Sequence, residues 1–406
     1  MRINIKGNIR DILKFTKLIP ERIERIQNAS SDKITSDPIN ELAFKLHPDT
    51  QHLMISDIFN ETKSTKTFKL VPDLDSNTRH VAYFRAGQYL SLKVDVIKGK
   101  DTYRITRPYS ISSSPFEALK GFYEITIKKT EGGFLSEFAW QNWKVGTKIE
   151  ASDPQGFFYY DPIRDKPSII GLGGGSGITP FRSMAREITS GKMNANLTLF
   201  YGSSDEEDII FFEEFSALAK NYPEKLKIIN VLSCEIVTLA GCLEGFITAD
   251  IIQTYADVNE SSIFICGPQA MYNFLKTEID SLNLPTKRIR QEMFGEIKNI
   301  TQCEGFPLDK AENIYTIKVK MGKQYLEVPA NATETVLVAL ERAKLAPPSR
   351  CRSGECGWCR SRLISGDIFI SPESDGRRIA DKKFGYFHPC SSYPISNLEI
   401  EVPTEF

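Results

Sequence analysis

The chain has 406 residues, 41% of them hydrophobic and 25% charged, which is ordinary soluble-domain composition and enough for roughly two to four domains. Lys and Arg number 51 against 52 Asp and Glu, a net charge of -1, so neither a nucleic-acid-binding surface nor an acidic tail is indicated. No apolar run approaches the roughly 20 residues of a membrane-spanning helix, and the start, MRINIKGNIRDILKF, has no signal-peptide core, so a cytoplasmic protein is expected.

Residues 1–53 read as a polar helical extension. Ile5, Ile9, Ile12, Leu13 and Ile19 follow one helical face, which Pro20 should end. Residues 1–26 hold seven Lys or Arg and three Asp or Glu. Two roles fit: a helical brace for the next domain, or an electrostatic docking arm for an acidic acceptor. Residues 54–160 are short β-branched strands with turns, interrupted by a helical stretch at Leu135–Trp140, and predict an antiparallel β-barrel. Residues 161–298 alternate apolar strands (SIIGLG, LTLFYG, LKIINVL, SIFICG) with helical patterns, predicting a doubly wound parallel sheet. Residues 299–311 read as a linker. Residues 312–406 give a hairpin, a helix (TVLVALERAKL), a cysteine-rich loop and a last strand (LEIEV), a β-grasp-like frame.

The cysteine loop carries the sharpest signal. Cys351, Cys356 and Cys359 stand at C-x4-C-x2-C, and Cys390 follows after thirty residues. That is the spacing of plant-type [2Fe–2S] ferredoxins, in which each iron takes two thiolates. Gly354 and Gly357 allow the loop to wrap tightly. A structural zinc site would more usually pair two short knuckles. Cys234, Cys242 and Cys303 have no ligand spacing and read as small apolar residues.

Two further segments carry chemistry. In RPYS, Arg107 can neutralise a phosphate, the Tyr109 ring can cover a flavin face, and the Ser110 hydroxyl can bond the flavin N5 edge. In KKTEGGFLSEF a glycine turn opens a helix, a site suited to a pyrophosphate. RPYS followed by GGFLS resembles the flavin domain of the ferredoxin–NADP reductase family. The resemblance implies an FAD-binding barrel, with Arg107, Pro108, Tyr109 and Ser110 along the cofactor and Gly132, Gly133, Leu135 and Ser136 at its phosphates. DPQGFFYY at 153–160 is similar to the family's exit strand, with Asp153 where a glycine is usual.

GLGGGSGITPFRSM follows an apolar strand. Gly173, Gly174, Gly175, Ser176 and Gly177 would let backbone approach a pyrophosphate, with Thr179 as helix N-cap and Pro180 at the first helical position. The loop resembles the GGSGITP variant of the same family. ICGPQAM resembles the family's Cys-Gly-Pro, which implies that Cys266, Gly267 and Pro268 border the nicotinamide. QEMF resembles the segment closing that domain near the flavin, making Glu292 a candidate for proton supply or positioning. Ser203, Ser204 and the acids Asp205 to Asp208 follow the strand LTLFYG, where a ribose should lie. Carboxylates there would repel a 2′-phosphate, so NADH is expected over NADPH.

The domain order is similar to phthalate dioxygenase reductase-like iron–sulfur flavoproteins. It implies hydride transfer from NADH to FAD, then single electrons through the [2Fe–2S] cluster to a partner redox protein such as an oxygenase, hydroxylase or demethylase component. Ser110, Cys266 and Glu292 would be the catalytic residues. A non-oxygenase partner (a hybrid-cluster or corrinoid protein) and a redox sensor are the competing readings. A sensor needs no hydride donor, so the nicotinamide segment argues against it.

Overall fold

The computed structural model describes residues 9–31, 37–234 and 236–404. Residues 1–43 form one unit and 44–406 another. The first unit holds α1 (Ile9–Gln27) and most of α2 (Pro38–Leu46). Ile5 lies outside the described residues. Pro20 does not end α1 but sits inside it. Proline there removes a single intrahelical donor, and the Lys, Glu, Arg and Ile residues on both sides sustain the helix. Leu13, Phe15, Ile19, Ile23 and Ile26 are exposed along α1. Among the described residues no helix is long and apolar enough to cross a membrane.

The second unit begins with a barrel of β1 (Gln51–Asn60), β2 (Thr65–Pro72), β3 (Tyr89–Lys98), β4 (Asp101–Ser110), β5 (Tyr123–Lys128) and β6 (Lys148–Ala151), with α3 (Pro115–Ala118) and α4 (Phe134–Asn142) between strands. The strand order is β4-β3-β6-β1-β2-β5, and every pairing is antiparallel. A bridge between Ile111 and Ile125 links the two ends of the sheet. Alternating residues such as Leu53, Ile55, Leu90 and Leu92 fill the interior. The first strand starts at Gln51, earlier than residue 54, because a buried glutamine opens it. Gln51 donates to Ser152 O and accepts from Ala82 N and the Tyr123 hydroxyl, so a polar residue joins the core fully bonded.

Next come β7 (Ser168–Gly174), α5 (Thr179–Thr189), β8 (Asn196–Ser203), α6 (Phe212–Asn221), β9 (Leu226–Leu232), β10 (Leu243–Glu244), α7 (Ala249–Tyr255), β11 (Ser261–Cys266), α8 (Gln269–Ser281) and β12 (Ile289–Glu292). These strands form a parallel sheet ordered β10-β9-β8-β7-β11-β12. The order reverses between β7 and β11, and a ligand crevice forms at the carboxyl ends of strands at such a point. The segment expected as a linker is docked: Ile300 and Phe306 are buried with Tyr393.

The last part contains β13 (Ile314–Met321), β14 (Gln324–Asn331), α9 (Val336–Arg342), β15 (Ser361–Ser365), β16 (Ile368–Phe369), α10 (Ile379–Phe384), β17 (Tyr386–Phe387), β18 (Tyr393–Pro394) and β19 (Leu398–Val402). Its main sheet runs β14-β13-β19-β15-β17, with β13 and β19 parallel. Val336, Ala339 and Leu340 of α9 pack into this sheet's core.

Candidate redox site

The cysteine loop follows α9, and Cys390 approaches it from the turn after β17. The Cys359 and Cys390 sulfurs lie 3.4 Å apart, and the Cys351 thiol meets those of Cys356 and Cys390. Backbone N–H groups of Cys356 and Trp358 point at the sulfurs of Cys351 and Cys356, each at 3.4 Å. The four thiols thus form one connected set, Cys356 to Cys351 to Cys390 to Cys359, the donor number that two irons with two thiolates each require. Gly354 has φ of 86°, and a Cβ there would lie 2.4 Å from Ser374 O, so this turn requires glycine. His388 Nδ1 lies 2.6 Å from Gly354 O and braces the loop. The residues present fit a [2Fe–2S] cluster.

Arg107 and Tyr109 lie two apart on β4 and share one face. Tyr109 packs against the barrel interior, where burial pushes its hydroxyl up to about 12. Arg107 was expected at the FAD diphosphate. Its Nη1 donates to both oxygens of Glu341 on α9, at 3.1 and 3.2 Å, and to Thr106 O. A guanidinium has further donors on Nη2 and Nε, so phosphate contact stays open to it. The glycine turn precedes α4 as expected: Gly132 has φ of 69° and open space at its Cβ position. Glu137 accepts from Gly132 N at 3.1 Å, showing that this helix start draws an anion. Leu135 is a core residue of the barrel, which leaves only its backbone for phosphate. The Ser136 hydroxyl accepts from Thr130 N. Pro108 and Ser110 are buried on the opposite face. The chemistry of the turn, the Arg and the Tyr ring suits a flavin dinucleotide.

In the nicotinamide domain Gly173 and Gly174 end β7, and Gly175 to Ile178 form a 3-10 turn. Gly175 has φ of 51° with open space beside it, and its carbonyl accepts from the Tyr201 hydroxyl. A Cβ on Gly177 would lie 2.1 Å from Cys266 O, so this glycine serves close packing against the Cys266–Gly267 backbone. Thr179 is not the N-cap. The 3-10 turn runs straight into α5, and the Thr179 hydroxyl donates to Ser176 O at 2.9 Å. Pro180 therefore lies at the second helical position, and Pro268 caps α8 from outside.

The loop after β8 also departs from expectation. Asp205 and Glu207 pair with Lys63, at 2.7 and 3.0 Å. Asp208 pairs with Lys128 and accepts from the Thr62 and Ser64 hydroxyls. Glu206 accepts from Thr238 N and Leu239 N. These acids thus fasten the loop, three of them through barrel lysines, and their repulsion toward a 2′-phosphate is weaker than four free carboxylates would give. Ser203 is buried with its hydroxyl spent on Asp205 O and Asp208 O, whereas Ser204 is exposed.

The three motifs meet at Tyr89, which sequence reasoning missed. Tyr89 pairs across the sheet with Ser110. A Cβ on Gly156 would stand 2.9 Å from the Tyr89 ring and 3.1 Å from Glu292 Oε1. Phe294 packs edge-on against Tyr89 at 5.2 Å. Glu292 ends β12 opposite Cys266 on β11. It is no surface carboxylate: it is 5% exposed, Oε2 has no protein partner, and burial holds its carboxyl well above the usual range. Burial, then the Glu292 charge, likewise pushes the Cys266 thiol up. The Tyr89 hydroxyl, raised by burial, also lies in the field of Cys351, Cys356 and Glu355. The glycine of the exit segment was the sequence signal for the close packing on Tyr89.

Charged side chains bind the domains together. Arg182 and Arg186 of α5 reach Glu124 of the barrel at 2.7 and 3.0 Å, and both also bind Glu214. Arg350, stacked 3.6 Å over Trp358, donates to Asp153 at 3.1 Å. The aspartate that departs from the family pattern is thus a bridge to the cluster loop.

Comparison with known proteins matches this architecture. The oxidoreductase FAD-binding domain matches residues 52–160, the oxidoreductase NAD-binding domain 172–277, and the 2Fe-2S iron-sulfur cluster binding domain 320–394. The ferredoxin reductase component of 3-ketosteroid-9-alpha-monooxygenase from Rhodococcus rhodochrous is 28% identical, over 86% of this chain and 96% of its own. The reductase component of the glycine betaine monooxygenase of Chromohalobacter salexigens is 26% identical, over 85% of this chain and 93% of its own. The solved structure of phthalate dioxygenase reductase superposes with a TM-score of 0.59 at 22% identity, covering 87% of this chain and 98% of that one.

Proposed function

Since the chain belongs to the NAD(P)H-dependent iron–sulfur flavoprotein reductases, with FAD, NAD and 2Fe-2S domains in that order, its acceptor is the open question, and we propose that it is the oxygenase component of a multicomponent monooxygenase or dioxygenase. The observation that carries the electron path is the junction at Tyr89, where Ser110, Glu292 and the cluster loop come together. The two relatives named above are reductase components of monooxygenases, and this supports the choice of acceptor.

In this reading Gly173 to Gly177 receive the nucleotide pyrophosphate, and Cys266, Gly267 and Pro268 border the nicotinamide. Arg107 and the Gly132–Ser136 turn hold the flavin phosphates, and Tyr109 and Ser110 orient its ring. Bound flavin supplies the two-electron to one-electron conversion between NADH and the cluster. Glu292, buried beside Tyr89 with no protein partner for Oε2 and with its carboxyl raised by burial, is placed to hold or pass a proton there. Cys351, Cys356, Cys359 and Cys390 hold the cluster, and Trp358, 45% exposed in the same loop, marks the side open to the acceptor. Free thiols throughout the chain suit a reducing, cytoplasmic setting. The test is cross-linked capture of the acceptor from source cells, followed by reconstitution. NADH-dependent oxygen consumption with the captured protein is expected. An acceptor without an oxygen-using centre refutes the assignment and leaves the reductase reading standing.

A further inference from the structure

We propose that Glu341 is a positioning residue that fixes the flavin motif against the cluster loop, gripping Arg107 on one side and Arg352 on the other. Glu341 lies on α9, in the ferredoxin part of the chain, yet it takes a two-oxygen grip on Arg107 of the flavin strand at 3.1 and 3.2 Å. Its Oε1 also accepts from Arg352 Nη1 at 2.6 Å. Arg352 directly follows the ligand Cys351, and its Nη2 continues to Glu296, beyond the last strand of the nicotinamide domain. Four charges of alternating sign therefore run through the junction of all three domains: Arg107, Glu341, Arg352 and Glu296.

Three features separate this chain of charges from an ordinary surface network. Arg352 is 1% exposed and Glu341 7%, so the central pair is desolvated. Arg352 holds φ of 60°, a left-handed backbone that an arginine adopts only when its surroundings enforce it. Finally, buried ion pairs add little net stability over apolar packing, and their best-attested use is to specify one geometry. Here the geometry specified is the placing of the cluster loop relative to the RPYS strand. Each NADH yields NAD+, a proton and two electrons. The electrons must leave the reduced flavin singly, each reducing one oxidised cluster before the acceptor reoxidises it, so this placing controls the transfer rate.

The inference rests on the flavin-to-cluster order proposed above. The test compares the holoenzyme and its Glu341→Gln variant at saturating FAD, rapidly mixed with NADH without oxygen. Flavin reduction should proceed within about twofold of wild type, because Glu341 touches no part of the nicotinamide site. Cluster bleaching should slow by about tenfold or more, inside the roughly 10²-fold that a misplacement of about 1 Å can cost. The EPR signal of the dithionite-reduced cluster should be unchanged, and hydrogen exchange across Val336–Arg342 should quicken. Glu341→Asp, which keeps the carboxylate, should recover part of the rate. Cluster bleaching at the wild-type rate overturns the proposal, as does an equal slowing of both phases. If wild type itself fails to bleach its cluster with NADH, the electron order is wrong instead. Should Glu341→Gln not fold, Glu296→Gln releases the outer end of the network and must show the same selective slowing.

Discussion

Replacing Arg182 by Met tests whether the nicotinamide domain is riveted to the barrel through charge. Arg182 donates to Glu124 at 2.7 Å and to Glu214 at 2.8 Å, and its guanidinium covers the Phe211 ring at 4.2 Å. Its side chain is 7% exposed, so solvent does not compensate for the lost bonds. Two hydrogen bonds to carboxylates are removed, each contributing about 1.5–3 kcal/mol, together with a longer one to the Ser112 hydroxyl at 3.5 Å. Two effects reduce the total. Methionine recovers apolar contact with Phe211, and Arg186 still neutralises both carboxylates. The expected loss is about 3 kcal/mol, the lower end for breaking a buried pair, and at about 2.1 cal/mol/K of unfolding entropy per residue it should lower Tm by roughly 4 °C in a unit of this size. Calorimetry of the holoenzyme checks the stability. The double variant with Glu124→Gln should lose clearly less than the sum of the single losses, because the two residues share one network. A Tm within about 2 °C of wild type, or strict additivity, refutes the rivet.

Three other outcomes follow from named residues. NADH should give a higher kcat/KM than NADPH, and Lys63→Glu should widen the gap, because Lys63 neutralises Asp205 and Glu207; a preference for NADPH contradicts the reading of this loop. Glu292→Gln should raise stability at alkaline pH relative to wild type. The folded carboxyl titrates above its unfolded value, so its contribution is complete below about pH 4.3 and falls as pH rises toward the folded value; identical pH–stability profiles for the two proteins contradict a buried neutral carboxyl. A chain starting near Thr50 should keep NADH–ferricyanide activity, yet transfer electrons to its acceptor more slowly and with less salt dependence if the segment before β1 is a docking arm; loss of FAD would favour the brace, and no change in either assay removes both roles.

What could be read from the sequence was local, and what could not was long-range. The spacing of Cys351, Cys356, Cys359 and Cys390, the strand-to-glycine transition at Gly173 and the RPYS segment are each compact patterns with a direct chemical meaning. The partners of these groups lie far along the chain. Arg107 meets Glu341, 234 positions away, and Lys63 meets Asp205, 142 positions away. No helical or strand periodicity reports such pairs. Tyr89 looked like any aromatic at the start of an apolar strand; only the register that sets it opposite Ser110 gives it a place at the site. Glu292 could not be told from a surface acid because its burial is produced by Gly156, Tyr89 and β11, all remote in sequence. Pro20 misled for a simpler reason: residue type suggested a break, and the flanking helix formers outweighed it.

The electron order is tested most directly by following flavin and cluster absorbance after mixing NADH with wild type and with Cys359→Ser in the absence of oxygen. Wild type, with about two irons per chain, should bleach its flavin first and its cluster second. Cys359→Ser should lack the cluster signal, yet bleach its flavin at the wild-type rate and still reduce ferricyanide. A cluster that bleaches before the flavin, or a Cys359→Ser variant whose flavin no longer accepts electrons from NADH, would contradict the account.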